Sequence, residues 1–283
     1  MNRAVVFAAD LIVLALAAQA HAQAANRPRI RADDPAFAEW KRGVASMPAD
    51  QQIKAVTRKL AELNPKFDGE LAPDIDNGVV TAVALRNVTD ISPLRALPGL
   101  RELYVSSCPI SDLNALRGAR LTTLHCGGTR VANLSPLKGM PLRELYCDRC
   151  RIADLSPLSG MPLTDLDCSL NTELADLSPL KGVPLETLNC SGTRVSSLSA
   201  LKGAPLRRLD CRNTKVSDIS PLNPATLEEL DCAFTDVSDF SHLAASAHPL
   251  ILVVGGAKAT DDVLDKLRRT LPACVIRAAP GDK

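Results

Sequence analysis

Aromatic residues are scarce in this sequence: its 283 residues include one Trp, two Tyr and five Phe, or 3% in all. A compact globular core of this size ordinarily contains many ring side chains, so we expect a core of leucine, valine and cysteine instead. The net charge is only +1, which excludes a bulk electrostatic attraction to nucleic acid or to a membrane surface. The chemistry of any partner must therefore be inferred from local patterns.

Residues with catalytic chemistry are also few. The sequence contains four histidines, no serine in a strand-to-helix elbow, no glycine-rich phosphate loop and no metal-ligand spacing. We therefore expect no enzymatic activity, no cofactor and no metal site. The alternative, a hydrolase, would use Asp165, Asp167, Asp210 and Asp231, but an open sheet offers carboxylates little burial with which to shift their pKa values.

A long apolar run occurs only near the start of the chain. Arg3 precedes an apolar stretch from Leu11 to Ala18, and the small-x-small pattern Ala20-His21-Ala22 follows it. This order is typical of a signal peptide that is cleaved before Gln23. We expect residues 1–22 to direct export to the periplasm or the cell exterior, with no membrane insertion after cleavage, because no later apolar segment approaches the roughly 20 residues of a membrane span.

Cysteines recur at one fixed place in the chain. They are separated by 21, 21, 22, 21 and 21 residues and are Cys126, Cys147, Cys168, Cys190, Cys211 and Cys232. Each ends the phrase Leu-x-x-Leu-x-Cys, and Thr-x-Val, Leu-Ser-Pro-Leu, Gly and Pro follow at matching offsets in most units. A period of about 20 to 29 residues with this leucine order indicates a solenoid of stacked strands.

The fold class that follows is an α/β solenoid, a right-handed curved stack of leucine-rich repeats with a parallel concave sheet and short 3₁₀ turns on the convex side. In one repeat, the residues predicted to be buried are Leu142, Leu145, Cys147, Ile152, Leu155 and Leu158. Ser156-Pro157 is predicted to cap and begin the 3₁₀ turn. One repeat cannot bury enough surface to fold alone, so both ends of the stack need caps.

The chain is predicted to divide into four segments. Residues 1–22 form the signal peptide, and residues 23–77 a linker and a helical hairpin whose Phe37, Trp40 and Phe67 cap the stack. Residues 78–249 form the repeat array, which begins with a degenerate unit. Residues 250–283 form a strand-helix-strand cap, with strands at 250–254 and 273–277 and a helix that Thr260 caps and that runs through Arg269, followed by a loose tail.

The cysteine ladder is predicted to consist of buried thiols. Neighbouring strands lie about 4.7 to 4.9 Å apart, whereas the Cβ atoms of a disulfide lie about 3.5 to 4.5 Å apart. One strained bridge is the alternative. A metal site is disfavoured, because a structural zinc ion gathers four ligands around one point and these sulfurs form a line.

The repeated phrase Pro-Leu-x-x-Leu-x-Cys-x-x-Thr-x-Val-x-Asp-Leu-Ser-Pro-Leu-Lys-Gly-Met resembles the leucine-rich repeats of internalin-like bacterial proteins over residues 80 to 243. The segment Leu63-Asn64-Pro65-Lys66-Phe67-Asp68-Gly69 is similar to the flank that precedes such arrays. The resemblance implies a curved solenoid that binds other proteins. The sequence departs from many leucine-rich repeats in having threonine or cysteine where asparagine is usual, and we expect no cell-wall sorting tail.

The residues on either side of the second leucine of each phrase are predicted to face solvent on the concave sheet, in two aligned columns. The candidate protein-binding residues are Tyr104, His125, Tyr146, Asp165, Asp167, Asp210, Glu229 and Asp231. Both tyrosines of the chain lie in one column, with the histidine between them, and carboxylates dominate the rest. We expect a protein partner, one that offers a basic or aromatic-bearing segment, and no nucleic acid. A purely structural role in the cell envelope is the alternative.

Overall fold

A computed structural model describes residues 34–246, 249–256, 261–272 and 274–278. The predicted signal peptide and most of the predicted linker lie outside these described residues. By its internal contacts the chain divides into a first unit, residues 1–40, and a second unit, residues 41–283. Helix α1 (Pro35–Ala45) runs across this boundary. Within the first unit, the rings of Phe37 and Trp40 have centroids 5.3 Å apart.

The second unit contains one sheet whose strands are stacked in chain order. The described strands are β1 (Leu71–Asp76), β2 (Val79–Leu85), β3 (Glu102–Tyr104), β4 (Thr123–His125), β5 (Glu144–Tyr146), β6 (Asp165–Asp167), β7 (Thr187–Asn189), β8 (Arg208–Asp210), β9 (Glu229–Asp231), β10 (Leu250–Val254) and β11 (Cys274–Ala278). Strands β2 to β11 pair in parallel. The predicted leucine-rich-repeat solenoid is therefore confirmed.

Each repeat buries the side chains that its leucine phrase predicts. In the unit that contains β5, Leu142, Leu145, Cys147 and Ile152 have no exposed surface. Because side chains alternate along a strand, Leu145 and Cys147 point into the core, and the residues next to them in the sequence point away from it. The six ladder cysteines are all buried, and every described cysteine is a free thiol.

Short 3₁₀ turns lie opposite the sheet, as predicted, but their caps differ from the prediction. The turn Ser156–Leu158 begins after Leu155, so Ser156 is its first residue and not its cap. Asp154 accepts a hydrogen bond from the Ser156 N–H at 2.7 Å and another from its hydroxyl at 2.8 Å. An aspartate two residues before the turn thus satisfies the backbone donor that a capping serine would satisfy.

Strand β1 is an element that the repeat pattern did not predict. It pairs with β2 antiparallel through a two-residue turn at Asn77 and Gly78, whose φ angles are +49° and +76°. Positive φ at both positions is the geometry of a type I′ hairpin turn, for which Asn-Gly is the preferred sequence. The sequence signal was present but lay across the boundary at residues 77 and 78 between the assigned helical cap and the repeat array.

Helix α2 (Ala49–Leu63) contacts β1 and the first 3₁₀ turn, Ser92–Ala96. Asn64, which ends the helix and is 2% exposed, makes this junction specific. Its Oδ1 accepts hydrogen bonds from the N–H groups of Thr89 at 2.7 Å and Asp90 at 2.8 Å, and its Nδ2 donates to the carbonyl oxygen of Asp90 at 2.9 Å. The helical region is thereby bonded to the first repeat.

The described C-terminal elements are β10, helix α3 (Asp261–Thr270) and β11. The predicted strand at 250–254 has the predicted bounds. Strand β11 spans 274–278, one residue later than predicted. Thr260, the predicted cap of the helix, and Ala273 lie outside the described residues.

The one unit of 22 residues places its extra residue after Asn171. The Asn171 Nδ2 donates hydrogen bonds to the carbonyl oxygens of Cys147 at 3.0 Å and Cys168 at 2.9 Å, and its Oδ1 accepts from the N–H of Ile152 at 2.9 Å. Asn171 therefore holds the position that threonine or cysteine holds elsewhere. The extra residue lies between it and the buried Leu174.

Candidate functional site

The solvent-facing side of the sheet, here called the concave face, presents two columns of side chains that the strand register aligns. The first column contains Glu102, Thr123, Glu144, Asp165, Thr187, Arg208 and Glu229, and the second contains Tyr104, His125, Tyr146, Asp167, Asn189, Asp210 and Asp231. These are the columns that the sequence predicts. All eight candidate residues lie on them, so the structure brings the candidates to one face of one sheet.

The aromatic part of the second column is a continuous ring stack. The centroids of Tyr104 and His125 are 4.7 Å apart, and those of His125 and Tyr146 are 4.1 Å apart with the rings stacked. This spacing follows from the separation of neighbouring strands, about 4.7 to 4.9 Å. The Tyr104 hydroxyl also donates a hydrogen bond to Glu102 at 2.7 Å. The three rings are therefore held in place before any partner arrives.

The ring stack changes the acidity of its members. Burial between the two tyrosines lowers the pKa of His125 from its usual value, although Glu144 and Glu102 act in the opposite direction. The hydrogen bond to Glu102, together with burial, raises the pKa of Tyr104 to about 12. Burial and the neighbouring carboxylates also raise the pKa of Tyr146. The stack is therefore uncharged at neutral pH.

The acidic part of the second column contains a cation that the sequence analysis missed. The Arg212 Nε lies 3.3 Å from Asp210, and its terminal nitrogen lies 3.6 Å from Asp231. Arg212 follows Cys211 in the turn after β8, so its position in the repeat does not reveal that its side chain folds back over the sheet. Arg208 is thus joined by a second cation beside this face.

Asp210 corrects the expectation that an open sheet leaves its carboxylates unperturbed. Burial raises the pKa of Asp210 to about 6, and the nearby Asp231 adds to the increase, whereas the Arg212 N–H and guanidinium oppose it. The side chain is half-buried because the neighbouring strands flank it on both sides. That burial was underestimated from the sequence.

A further column, buried over most of its length, follows the ladder cysteines by three residues. The hydroxyls of Thr193, Thr214 and Thr235 each donate a hydrogen bond to the carbonyl oxygen of the preceding ladder cysteine at 2.6 Å. Cys150 occupies this column in the unit of β5, where its sulfur lies 3.2 Å from the Thr129 hydroxyl and 3.3 Å from the carbonyl oxygen of Cys126.

Cys150 differs chemically from the ladder cysteines. A hydrogen bond with the Cys126 thiol, helped by Thr129 and opposed by burial, lowers the pKa of Cys150 to about 6. Burial instead raises the pKa of Cys147 and of Cys168 well above the usual value. Among the described residues no group of three or more His, Cys, Asp and Glu side chains is placed to hold a metal ion.

No helix in the described part of the chain is long and apolar enough to cross a membrane. No protein-family model matches the sequence, and no curated protein matches it. The similarities are therefore to solved structures. Sequence identity below a quarter shows only a shared fold.

An internalin C2 from Listeria monocytogenes is 28% identical, with a TM-score of 0.58 over 62% of this chain and 80% of the internalin. An internalin (inlF) from the same species is 20% identical, with a TM-score of 0.62 over 82% of this chain and 74% of that protein. A leucine-rich-repeat protein from Leptospira interrogans is 19% identical, with a TM-score of 0.50 over 67% and 57% of the two chains. The chain is thus an internalin-like leucine-rich-repeat solenoid.

Proposed function

We propose that this chain is an exported protein that binds another protein through its concave face and performs no catalysis. The observation that carries the proposal is the ring stack of Tyr104, His125 and Tyr146 beside a column of carboxylates. Tyrosine contributes a large apolar surface and a polar hydroxyl with few rotatable bonds, which suits it to the centre of an interface. Rings that are already stacked lose little further side-chain entropy on binding.

The charge of the face favours one kind of partner. Asp165, Asp167 and Glu229 lie on the two columns together with Asp210 and Asp231, and Arg208 and Arg212 oppose them. Carboxylates in excess attract a basic segment and repel a phosphate backbone. The proposed partner is therefore a protein that offers a basic or aromatic-bearing segment, and nucleic acid is excluded from the proposal.

Export belongs to the same proposal and is supported by the sequence of residues 1–22. The division into a linker and helical cap at 23–77, a repeat array at 78–249 and a C-terminal cap at 250–283 is likewise proposed. Expression of the full chain in a bacterial host, followed by N-terminal sequencing of the exported protein, tests the first boundary. The expected mature terminus is Gln23, and a cytoplasmic full-length product would contradict export.

The binding proposal is tested by capture of partners from an exported-protein extract. Tyr104→Ala/Tyr146→Ala removes the two outer rings of the stack without touching the core, and we expect it to lose the partner that the native protein retains. Lys138→Ala/Lys181→Ala is the matched control, because these exposed lysines lie in the turns on the opposite side. Equal capture by all three proteins would contradict binding through the concave face.

Two other functions make different predictions. A purely structural protein of the envelope would tolerate every substitution on the concave face.

A hydrolase would need a free carboxylate pair, and the raised pKa of Asp210 is the observation that favours a hydrolase. Arg212 already pairs with Asp210 and Asp231, which leaves neither carboxylate free to act on a substrate. Loss of a measured hydrolytic activity in Asp210→Asn would nevertheless favour the enzyme.

A further inference from the structure

The turn after each strand repeats one unusual backbone conformation. Its second residue has positive φ in nine successive units, at Asn87, Ser107, Gly128, Arg149, Leu170, Gly192, Asn213, Phe234 and Gly256. Glycine and asparagine adopt this conformation readily, whereas bulky residues rarely do. Six of the nine positions hold Gly, Asn or Ser. Large side chains occur only at Arg149, Leu170 and Phe234.

Neither backbone preference nor core packing accounts for Leu170 and Phe234. Their φ angles are +57° and +56°, and the two residues are 43% and 44% exposed. Leu170 instead lies along the surface toward the next unit, since a Cβ at Gly192 would come 2.7 Å from its Cδ2. Strain that persists in exposed apolar residues points to a function at the surface.

Leu170 and Phe234 flank a groove at the edge of the concave face. The cavity has a volume of about 680 Å³. Gly192 and Asn213 lie between these two apolar residues, and Asp148 and Arg149 line the groove beyond Leu170. The second column of the concave face forms its inner side, with Asp167 and Asp231 among the lining residues. The edge groove is therefore continuous with the face proposed to bind a protein.

The carboxylates of the edge groove are not equivalent. Asp148 pairs with Arg149, and Asp231 pairs with Arg212. Asp167 accepts hydrogen bonds from the Ser169 N–H at 2.9 Å and the Asn189 amide at 3.2 Å, but no cation among the described side chains forms an ion pair with it. Asp167 is thus the carboxylate in the groove that is available to a cation from a partner.

We propose that the edge groove holds an extended segment of the protein partner that carries two apolar side chains with a lysine or arginine between them. Leu170 and Phe234 are three strand spacings apart, about 14 Å. Four residues of extended chain span about 13 Å, and alternate side chains share a face. The two apolar residues therefore lie four positions apart. The basic residue between them is about one and a half strand spacings from the level of Asp167, about 7 Å, which a lysine or arginine side chain spans. This inference rests on the proposed function and names the chemistry of its partner.

The test uses random dodecapeptides displayed on phage and selected on the purified full chain. We expect the selected sequences to share a basic residue with an apolar residue two positions to each side. A synthetic peptide of that consensus is expected to bind the native protein and to lose at least about tenfold in affinity for Leu170→Asn/Phe234→Asn. Asparagine is chosen because Asn213 already has the same backbone conformation, so the variant is expected to unfold at no lower temperature than the native protein.

Asp167→Asn supplies the second measurement, since it is expected to abolish the preference for a basic over a neutral central residue. Failure to select any consensus, a consensus without the apolar pair, or equal binding by the Leu170→Asn/Phe234→Asn variant would each overturn the inference. Self-association of the native protein that this variant abolishes would also overturn it, because the groove would then hold a second copy. Partner capture that depends on Tyr104 and Tyr146 but not on Leu170 and Phe234 would reject this inference and leave the proposed function intact.

Discussion

At the scale of single residues, Cys150 is the one thiol in the described chain whose surroundings favour the thiolate. With a pKa lowered to about 6, it is mostly deprotonated at neutral pH, and the thiolate is the reactive form. We predict that brief iodoacetamide treatment at neutral pH modifies Cys150 before the other eight of the nine cysteines. Peptide mass spectrometry locates the modified residue.

Thr129→Val is the control for that experiment. It keeps the size of a buried side chain and removes the hydroxyl that lies 3.2 Å from the Cys150 sulfur, so we expect modification to slow several-fold. The ladder cysteines are expected to react only after denaturation, when all nine thiols should titrate if none is bridged. Uniform labelling of the folded protein would contradict both the burial of the ladder and the distinct chemistry of Cys150.

Asp210 is a residue whose charge opposes folding near neutral pH. Its folded pKa of about 6 exceeds the ordinary unfolded value of about 3.9, so between these values the native state binds more protons than the unfolded state. Stability therefore rises as the pH falls through this window. We predict that Asp210→Asn increases the free energy of unfolding by about 1 kcal/mol near neutral pH and leaves it unchanged near pH 4.

Urea denaturation at the two pH values measures this difference. Asparagine retains an oxygen to accept the Arg212 N–H, which Asp210 accepts at 3.1 Å. Asp176→Asn is a control of opposite sign, because hydrogen bonds from Ser178 lower the pKa of Asp176. That variant is expected to lose stability near neutral pH, with the loss disappearing as the pH falls through the folded pKa. Destabilisation by Asp210→Asn near neutral pH would contradict the argument.

At the scale of elements, the junction between α2 and the first repeat depends on one buried amide. Asn64→Ala would leave the N–H groups of Thr89 and Asp90 without their acceptor, and each unsatisfied buried group costs about 1 to 3 kcal/mol. We predict a loss of about 2 to 4 kcal/mol in the free energy of unfolding. Chemical denaturation followed by circular dichroism measures it.

The matched control is the same substitution at an exposed asparagine. Asn133 accepts one hydrogen bond, from the Ser135 N–H at 2.8 Å, and water can replace it there. Asn133→Ala is expected to cost at most about 1 kcal/mol. Equal losses in the two variants would mean that the junction of α2 with the repeats contributes no more than an ordinary surface turn.

The elements that follow the repeat period could be predicted from the sequence, and the elements that depart from it could not. A fixed period determines the register of parallel strands, so the alignment of Tyr104 with His125 follows from spacing alone. The hairpin at Asn77 and Gly78 was overlooked because it precedes the first regular unit. The positive φ of Leu170 and Phe234 could not be predicted, since the preferences of both residues oppose it. Side-chain burial of Asp210 depends on neighbours from other repeats.

At the scale of the whole molecule, each described repeat pairs its strand with the strands of the repeats before and after it. The three residues of β3 pair with the three residues of β4, and β4 pairs with β5 in the same register. In such a stack, stability is close to a sum of terms for each repeat and for each interface between neighbours. The removal of one complete unit therefore shortens the array, and the remaining repeats still pair with one another in the same register.

We predict that deletion of residues 121–141, which removes β4 and its turn, yields a folded protein with a lower melting temperature. Arg120 then joins Leu142, β3 pairs with β5, and Tyr104 lies next to Tyr146 in place of His125. Deletion of residues 121–131 is the control, because it removes a strand but keeps its outer turn and so breaks the register. Thermal unfolding followed by circular dichroism is expected to be cooperative for the first variant and absent for the second. Similar behaviour of the two deletions would contradict a stack held together by repeat-to-repeat register.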